Sequence, residues 1–265
     1  MESMGGEELL GLVSDRRRFL TYLKDDTAYK RDIVDDLNVS RSTVDRVISK
    51  LTNEHLVQRS KTGYKITNKG EISLNTVSTT LETLNTLERA TEILQWLPED
   101  VDIPQSIFEH GEVYLGEQPA PLSPTDRGIT RLENCDKIVS LSHSDSHPQF
   151  AEVFMERVYD EQFVAEMTVR ESLMEWLVSI YEGHLEYLLE SGSLNFWVSE
   201  NVSFGLLIYY MFNDTFVHLI PHGSRGEYRG HIETSNAEVV EWAENYITKV
   251  QEESQSFQDF LISNH

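Results

Sequence analysis

Residues 33–70 read IVDDLNVSRSTVDRVISKLTNEHLVQRSKTGYKITNKG, and this stretch decides the fold of the N-terminal part of the chain. Its first residues continue a short helix over residues 31–37, after which a two-residue turn leads to Ser40. Ser40 is well placed to cap a further helix that runs to about Glu54, because its side-chain oxygen can accept a hydrogen bond from a backbone amide. The apolar side chains of that helix recur with helical spacing and predict its buried face: Val44, Val47, Ile48 and Leu51.

A β-hairpin is predicted directly after this helix. Two alternating runs, residues 56–59 and residues 64–67, are joined at residues 60–63 by SKTG, a polar turn that contains glycine. A helix over residues 7–23 precedes the quoted stretch, with apolar residues at helical spacing. The order of helix, short helix, turn, helix and hairpin predicts a winged helix-turn-helix domain over residues 1–70.

The exposed face of the third helix and the hairpin carry the residues that we expect to contact DNA. An α-helix fits the major groove, and its first turns reach the base edges. Arginine can bond guanine O6 and N7 together, so we expect Arg41 and Arg46 to contact bases. For each residue taken alone, the alternative is a solvated side chain on a small helical domain. The predicted DNA-binding residues are Arg41, Ser42, Thr43, Arg46 and Lys50 in the helix, and Arg59, Lys61, Tyr64 and Lys65 in the hairpin.

The charge of the chain is distributed unequally. The net charge is −23, yet residues 1–70 contain 13 Lys and Arg against 11 Asp and Glu, whereas residues 71–265 contain 9 against 34. The basic share therefore falls where a polyanion would bind. An acidic surface of this density is typical of proteins that work in multi-molar intracellular salt, where like charges are screened. We therefore predict a haloarchaeal protein, and the alternative is an ordinary acidic protein.

The composition also excludes several classes of protein. No apolar run approaches the roughly 20 residues needed to cross a bilayer. Residues 1–10 lack the basic flank and apolar stretch of a secretory signal. The single cysteine, Cys135, excludes an intramolecular disulfide framework and a cysteine-based zinc site. We therefore expect a cytoplasmic protein with no membrane partner.

A long helix is predicted over residues 71–97, where it links the N-terminal domain to the rest of the chain. Four of its apolar residues follow the 3-4-3 spacing of a short coiled-coil seam. Two interpretations remain: the seam pairs with a second subunit in a homodimer, or the helix packs against its own domain. The seam consists of Leu74, Val77, Leu81 and Leu84.

Residues 98–265 are predicted to form a mixed α/β regulatory domain, because strand-like and helix-like runs alternate. The Pro-rich stretch PAPLSP at residues 119–124 is predicted to be a loop. With the winged helix and the linking helix, we expect a chain of the α/β and α+β classes. The predicted strands cover residues 137–141, 162–169, 194–198, 204–211 and 215–220, and the predicted helices cover residues 149–159, 171–190 and 236–251.

Two stretches resemble known families. Residues 33–70 resemble the winged helix of archaeal regulators of the arsenic-repressor and multiple-antibiotic-resistance-repressor type. Residues 204–247 resemble the C-terminal regulatory domain of proteins related to the methanogenesis regulatory protein. In that domain a strand hairpin, a Gly-containing loop and an Ala-Trp helix follow one another, as at Phe204-Gly205-Leu206, Gly226 and Glu241-Trp242-Ala243. The resemblance implies a DNA-binding transcription regulator with a sensor domain, and it names neither the operator nor the ligand.

Catalytic motifs are missing from the sequence. It contains no Gly-rich phosphate loop, no Gly-x-Ser-x-Gly and no His-Glu-x-x-His. No histidine has lysine two residues on, as the phospholipase D family requires. Two histidine pairs are spaced four residues apart, but loop polarity or capping is favoured over a metal site; the pairs are His143 and His147, with Asp145 between them, and His218 and His222. We expect no enzyme activity, no cofactor and no metal.

A small-molecule site is expected in the acidic domain. Its few arginines near predicted loops and strand ends are candidates for binding an anionic effector, because α/β domains bind ligands there. A surface salt bridge is the alternative for each arginine. Two aromatic residues are candidates for a pocket wall, with core packing as the alternative. The candidates are Arg127, Arg170, Arg225 and Arg229, together with Trp197 and Tyr210.

These observations predict a homodimeric transcription regulator that binds double-stranded DNA through a winged helix and responds to a small molecule. The first alternative is a winged helix that contacts other proteins and is joined to an acidic assembly domain. The basic third helix and hairpin argue against it. The second alternative is an enzyme tethered to DNA, which the missing motifs disfavour.

Overall fold

The chain contains two compact units, Met1–Leu84 and Asn85–His265. The division falls inside the long helix that the sequence predicts between the DNA-binding and regulatory regions. Helices and strands are mixed along the chain, so the predicted α+β class is confirmed. The computed structural model describes residues 4–144, 148–160, 162–190, 193–223 and 225–264.

The first unit consists of three helices, a two-stranded hairpin and the first part of a long helix, in the predicted order. Its elements are α1 (Gly6–Asp25), α2 (Lys30–Leu37), α3 (Arg41–Asn53), β1 (Val57–Ser60), β2 (Gly63–Ile66) and α4 (Asn68–Leu94). Ser40 caps α3 as predicted, because its Oγ accepts a hydrogen bond of 3.1 Å from the Thr43 amide. Asn38 closes α2 with a φ of 50°, the left-handed conformation that commonly ends a helix.

The hairpin is held against the loop that joins α1 and α2. The backbones of Tyr64 and Ala28 exchange two hydrogen bonds, of 2.9 and 3.0 Å. Gly63 permits this close approach, because its φ is +127° and a Cβ atom there would lie 2.3 Å from the Ala28 carbonyl oxygen. Any other residue at this position would be strained both by the conformation and by the contact.

The core of the first unit includes part of the predicted seam. Leu74 and Val77 of α4 are only 3% and 4% exposed, because they pack among the buried side chains of α1, α2 and α3. Leu81 packs against the edge of the same core. Leu74 and Val77 therefore pack against the helix's own domain, which is one of the two interpretations of the seam. Leu84, in contrast, is 55% exposed.

The second unit begins with the last turns of α4 and contains a large sheet with helices on both faces. Among its described helices and those of the first unit, none combines the length and apolar character needed to cross a membrane. Its elements are α5 (Ser106–His110), β3 (Glu112–Leu115), α6 (Thr125–Asn134), β4 (Lys137–Ser142), α7 (Pro148–Val158), β5 (Val164–Arg170), α8 (Glu171–Glu190), β6 (Leu194–Ser199), β7 (Gly205–Tyr210), β8 (Thr215–Ile220), β9 (Gly230–Thr234), α9 (Ala237–Glu252), β10 (Gln255–Ser256) and α10 (Phe257–Asn264).

The eight described strands of this unit form one mixed sheet in the order β10-β6-β5-β4-β7-β8-β9-β3. β4, β5 and β6 run parallel to one another, whereas the other neighbouring pairs are antiparallel. Because successive residues of a strand point to opposite faces, the sheet separates two cores. Ile138 and Tyr209 belong to the core that includes α6 and α7, and Val139 and Ile208 belong to the core that includes α9.

Six elements of the second unit were not predicted: α5, β3, α6, β9, β10 and α10. Residues 121–124 of the Pro-rich stretch form turns, as expected, but α6 begins directly after them. β9 was missed because its sequence, GHIET, contains a single large apolar residue, Ile232, and so lacks the apolar run that marks a buried strand. All five residues of β9 are in fact buried.

Candidate nucleic-acid interface and ligand cavity

The exposed face of α3 carries four of the predicted DNA-binding residues. Arg41, Ser42, Arg46 and Lys50 are all exposed, because they alternate with the buried positions of the same helix at helical spacing. Asp45 lies on the same face, where its carboxylate is 2.7 Å from the ammonium group of Lys30. That ion pair and the nearby Arg41 guanidinium hold the pKa of Asp45 below its usual range.

The start of α3 contains a cluster of hydroxyl groups. The Oγ atom of Ser40 lies 2.9 Å from Ser42 Oγ and 2.8 Å from Thr43 Oγ1. Thr43 is half-buried, and its hydroxyl is engaged in this cap. Ser42 is exposed, so it is the residue of the two whose side chain is accessible from outside the helix.

The hairpin brings three further basic residues to the surface of the first unit. Arg59 lies on β1, Lys65 lies on β2, and Lys61 lies in the turn between them; all three are exposed. Tyr64 is half-buried, and its ring centroid is 5.6 Å from Lys30 Nζ. The tip of the hairpin is further fixed by a hydrogen bond of 2.8 Å between the hydroxyls of Thr62 and Thr27.

In the second unit, the predicted ligand-binding arginines are separated from one another. Arg127 was expected in a loop near a strand end, but it lies in α6, where its guanidinium is 3.1 Å from Glu233 and over the ring of Tyr114. Arg131, one turn further on, bonds both carboxylate oxygens of Glu233, at 3.0 and 3.1 Å. Arg170 ends β5 and bonds the Nε2 atom of His143.

The other candidates also lie apart. Arg225 and Arg229 are exposed in the connection between β8 and β9, in which Ser224 lies outside the described residues. The hydroxyl of Tyr210 donates a hydrogen bond of 2.7 Å to Glu244 of α9. Trp197 lies on β6 next to the short strand β10.

The second unit contains a cavity of about 160 Å³ between the sheet and the helices α6, α7 and α8. None of the six predicted ligand-binding residues lines it. Most of its wall is apolar. The apolar wall includes Phe150, Phe154, Met155, Met167, Leu177 and Leu207.

A group of histidines and hydroxyl-bearing residues forms the rest of the cavity wall. His218 of β8 and His231 of β9 stack with their ring centroids 4.3 Å apart. His143 and His222 stack at 5.2 Å. The remaining polar wall residues are Ser142, Ser144, Tyr209, Tyr228 and Thr125.

His218 and His222, which are close in sequence, therefore stack on different partners in the structure. His143 lies beside His222; Asp145 and His147, which the sequence places near His143, lie outside the described residues. His218 faces Glu233, with Nε2 at 2.7 Å from the carboxylate. In the part of the chain that the structure describes, no three His, Cys, Asp or Glu side chains are grouped as metal ligands would be.

The four histidines of the cavity are neutral near pH 7. Burial is the main cause that lowers the pKa of each ring, and it lowers that of His222 to about 4. Burial alone would raise the pKa of Glu233, but hydrogen bonds from His218 and Arg131 hold it well below its usual range. Glu233 is therefore a carboxylate, and His218 must donate the hydrogen bond between them.

Sequence reasoning missed Tyr209, Tyr228 and His231 altogether. The hydroxyl of Tyr228 lies 2.9 Å from His231 Nδ1, and the ring of Tyr209 meets that of His218 edge-on at 4.9 Å. One signal was available: His231 and Glu233 stand two residues apart in a run that is otherwise typical of a strand. Such a pair marks one polar face, but only the sheet order shows that this face is buried.

The two units thus define a mixed α+β protein with an exposed basic surface on one unit and a cavity in the other. Residues 121–253, about half of the chain, match the family described as "Methanogenesis regulatory protein FilR1, middle domain". The chain belongs to this family. Residues 5–89 match the family described as "HVO_A0261 N-terminal domain". The first match confirms the resemblance predicted for residues 204–247 and extends it over most of the second unit.

Three solved structures are similar to this chain at low identity. TrmBL2, described as an archaeal chromatin protein with a novel mode of DNA binding, is 14% identical, with a TM-score of 0.42, over 95% of this chain and 99% of its own. The phospholipase D family member Nuc from Salmonella typhimurium is 12% identical, with a TM-score of 0.41, over 56% and 98%. NucT from Helicobacter pylori is 14% identical, with a TM-score of 0.41, over 56% and 98%. No curated protein matches the sequence.

Proposed function

We propose that this protein is a non-catalytic, homodimeric transcription regulator, in which a winged helix binds double-stranded DNA and the second unit responds to a small molecule. One observation carries the DNA-binding part. Six basic side chains are exposed on α3 and the hairpin, in a chain whose net charge is −23. They are Arg41, Arg46, Lys50, Arg59, Lys61 and Lys65.

Each part of this surface has a distinct role in the proposal. α3 enters the major groove, where Arg41 and Arg46 read guanine edges through paired hydrogen bonds. Lys50 and the hairpin residues contact phosphates, which position the protein but carry no sequence information. Ser42 contacts a base or a phosphate. Tyr64 and Thr43 support the surface from beneath, through the packing of the hairpin and the cap of α3.

The decisive experiment separates base contacts from phosphate contacts. An operator is first selected from a random duplex pool with the full-length protein, and affinities for the operator and a scrambled duplex are then measured. Arg46→Ala should reduce discrimination between the two by about 1–3 kcal/mol. Lys61→Ala should weaken binding to both equally. Arg17→Ala, at an exposed position of α1, is the control and should change neither affinity.

Two outcomes would contradict the proposal. If Arg46→Ala weakened both duplexes equally, α3 would not lie in the groove. If the wild-type protein bound no duplex at any salt concentration, the first unit would be a protein–protein module. The measurements should span dilute buffer to molar KCl, because the acidic composition supports a haloarchaeal origin and phosphate contacts weaken as salt rises.

The homodimer is supported by the exposed part of the predicted seam. Leu84 is 55% exposed on α4, so Leu84→Glu should separate a dimer without disturbing the core of the first unit. Ile72 is 67% exposed and, twelve residues away, lies about 120° around the helix. Ile72→Glu is therefore the matched control. Light scattering gives the mass of both proteins. If both are dimers, the dimer contact lies elsewhere; if both are monomers, the proposed homodimer is wrong.

The absence of catalysis is the remaining part of the proposal. It is supported by the sequence, in which His218 is followed two residues later by Ile220 instead of the lysine of the phospholipase D motif. Incubation of the purified protein with a chromogenic phosphodiester tests this point. Release of product that disappears in a His218→Asn variant would show that the second unit is an enzyme.

A further inference from the structure

The cavity of the second unit has the size of a small organic ligand. Its volume is about 160 Å³. A dry protein cavity of about 150 Å³ lined by Leu, Ile and Phe side chains binds one benzene molecule. The cavity therefore accommodates one six-membered ring with one or two small substituents.

The apolar wall favours an aromatic ring. Phe150 and Phe154 of α7 line the cavity together with Met155 and Met167. Aromatic rings pack against one another with a gain beyond area burial, and thioether sulfur makes favourable contacts with ring edges. A flat ring between these side chains would meet both kinds of partner.

The polar wall offers a donor and an acceptor at defined atoms. Arginine can only donate, so His143 accepts the Arg170 bond at Nε2 and carries its hydrogen on Nδ1. His218 donates from Nε2 to Glu233, so its neutral ring can accept at Nδ1. A Cβ atom on Gly128 would lie 3.8 Å from that Nδ1 and 3.3 Å from the Tyr209 hydroxyl. These two atoms therefore lie near the same point of the wall.

Several polar atoms of the wall residues lack a hydrogen-bond partner among the described residues. They are the Tyr209 hydroxyl, His231 Nε2, His143 Nδ1 and Ser144 Oγ. Tyr209 and His231 are 0% and 1% exposed. A buried polar group without a partner is costly, so a ligand that supplies one would be stabilised by it.

The described residues that line the cavity include no charged side chain, which favours a neutral ligand over an anion. The histidine rings carry no charge at neutral pH. The guanidinium groups of Arg127 and Arg131 face Glu233, and that of Arg170 bonds His143. Arg225 and Arg229 are exposed and are not part of the wall.

We propose that the cavity binds a neutral, singly hydroxylated aromatic molecule of one ring, which is a compound of the phenol class. The ring lies against Phe150 and Phe154, and the hydroxyl both donates and accepts at the polar wall near Tyr209 and His218. This inference deepens the proposed function, because it rests on the second unit's being the ligand-responsive part and names its ligand class. It also replaces the anionic effector that the sequence suggested.

The test compares three probes on the full-length protein without DNA, by isothermal titration calorimetry. p-Cresol carries the ring and the hydroxyl, toluene carries the ring alone, and 4-methylbenzoate carries the ring with a negative charge. We expect p-cresol to bind at least about tenfold more tightly than either of the others, since the wall groups would stay unpaired with toluene. Equal binding of toluene, tightest binding of 4-methylbenzoate, or binding of none of the three would overturn the proposal.

Two variants locate the site. Tyr209→Phe removes a buried hydroxyl that has no hydrogen-bond partner among the described residues, so it should leave the fold intact and lower p-cresol affinity about tenfold. Tyr246→Phe, on α9 at the other face of the sheet, is the matched control and should bind as the wild type does. Ala151→Leu, in the cavity wall, should abolish binding by filling the space. Unchanged p-cresol affinity in both Tyr209→Phe and Ala151→Leu would overturn the assignment.

The same titration keeps this inference separate from the proposed function. Binding of p-cresol is measured in the absence of DNA, so the result does not depend on whether the first unit binds DNA. If p-cresol binds with the expected preference but leaves operator affinity unchanged, the cavity assignment is supported and the proposed response is wrong. If the protein binds no duplex, the DNA-binding proposal fails while the calorimetric result still decides the cavity.

Discussion

The two units use their polar side chains in opposite ways. In the first unit, the basic residues of α3 and the hairpin are exposed to solvent, and hydrogen bonds between the backbones of Ala28 and Tyr64 hold the hairpin in place. In the second unit, histidines and a glutamate are buried on one face of the sheet. His218, His231 and Glu233 are all less than 10% exposed, at 1%, 1% and 6%.

This difference separates two kinds of molecular recognition. An exposed basic surface can bind any polyanion and loses affinity as salt rises. A buried group of neutral polar side chains is hardly affected by salt, but it depends on complete hydrogen bonding and on pH. The first unit should therefore be sensitive to ionic strength, and the second to acidity.

Lowering the pH from 7 to 5 should destabilise the second unit far more than the first. A histidine whose pKa is lowered in the folded state binds a proton more readily when unfolded, so stability falls as pH drops through the unfolded pKa of about 6.5. Each such ring costs about 2 kcal/mol by pH 5. His222 and His231 together should therefore cost about 4 kcal/mol, to which His143 and His218 add.

Tryptophan fluorescence during denaturant unfolding measures this effect selectively. All four tryptophans, Trp96, Trp176, Trp197 and Trp242, lie in the second unit. The first unit contains one histidine, His55, which is exposed. A His222→Gln variant should show a loss that is smaller by about 2 kcal/mol between pH 7 and 5. A loss of the same size in that variant would show that His222 does not titrate as its burial implies.

Glu233→Gln should destabilise the second unit by about 3–5 kcal/mol, because removing one partner of a buried ion pair leaves the other charge uncompensated. Arg131 is 21% exposed and bonds both carboxylate oxygens, and His218 bonds one of them. The same fluorescence measurement at pH 7 gives the value. Glu238→Gln, at an exposed position of α9, is the control and should stay within about 0.5 kcal/mol of the wild type. An equally small effect of Glu233→Gln would mean that the ion pairs contribute no net stability.

Ser40→Ala should have the smallest effect of the three, a loss of about 1 kcal/mol confined to the first unit. The variant removes the oxygen that accepts from the Thr43 amide. Denaturant unfolding followed by circular dichroism should detect this loss, while the unfolding curve followed by tryptophan fluorescence should be unchanged. Ser49→Ala, exposed further along α3, provides the matched control. A change in tryptophan fluorescence for Ser40→Ala would show that the two units unfold together.

The first unit could be predicted from the sequence because its structure is decided locally. The Ser40 cap and the SKTG turn each depend on residues within a few positions of one another, so spacing and residue type are sufficient. The sequence could not predict whether Leu74 and Val77 lie in the core of the first unit or in a contact with a second subunit, because the 3-4-3 spacing fits both. Only the positions of α1, α2 and α3 around α4 separate the two interpretations.

The cavity could not be predicted because its wall comes from distant parts of the chain. Arginines were chosen for their scarcity among many carboxylates, but this scarcity favours ion pairing, as Arg127 and Arg131 show with Glu233. The two histidines that the central strands contribute to the cavity, His218 and His231, each stand next to apolar residues along their strands. Whether such a strand faces water or a cavity depends on its neighbours in the sheet, which the order of the chain does not reveal.

The pairing of β3 with β9 sets the order in which the two units can fold during synthesis. β3 ends at Leu115, and its partner strand is complete only at Thr234. At about 5–20 residues per second, the ribosome has finished the first unit roughly 8–30 seconds before the last residue of β9 is added. Arg127 and Arg131 are added part-way through that interval and lack the Glu233 carboxylate until its end. The nascent chain therefore carries the complete basic surface of the first unit before the sheet of the second unit is finished.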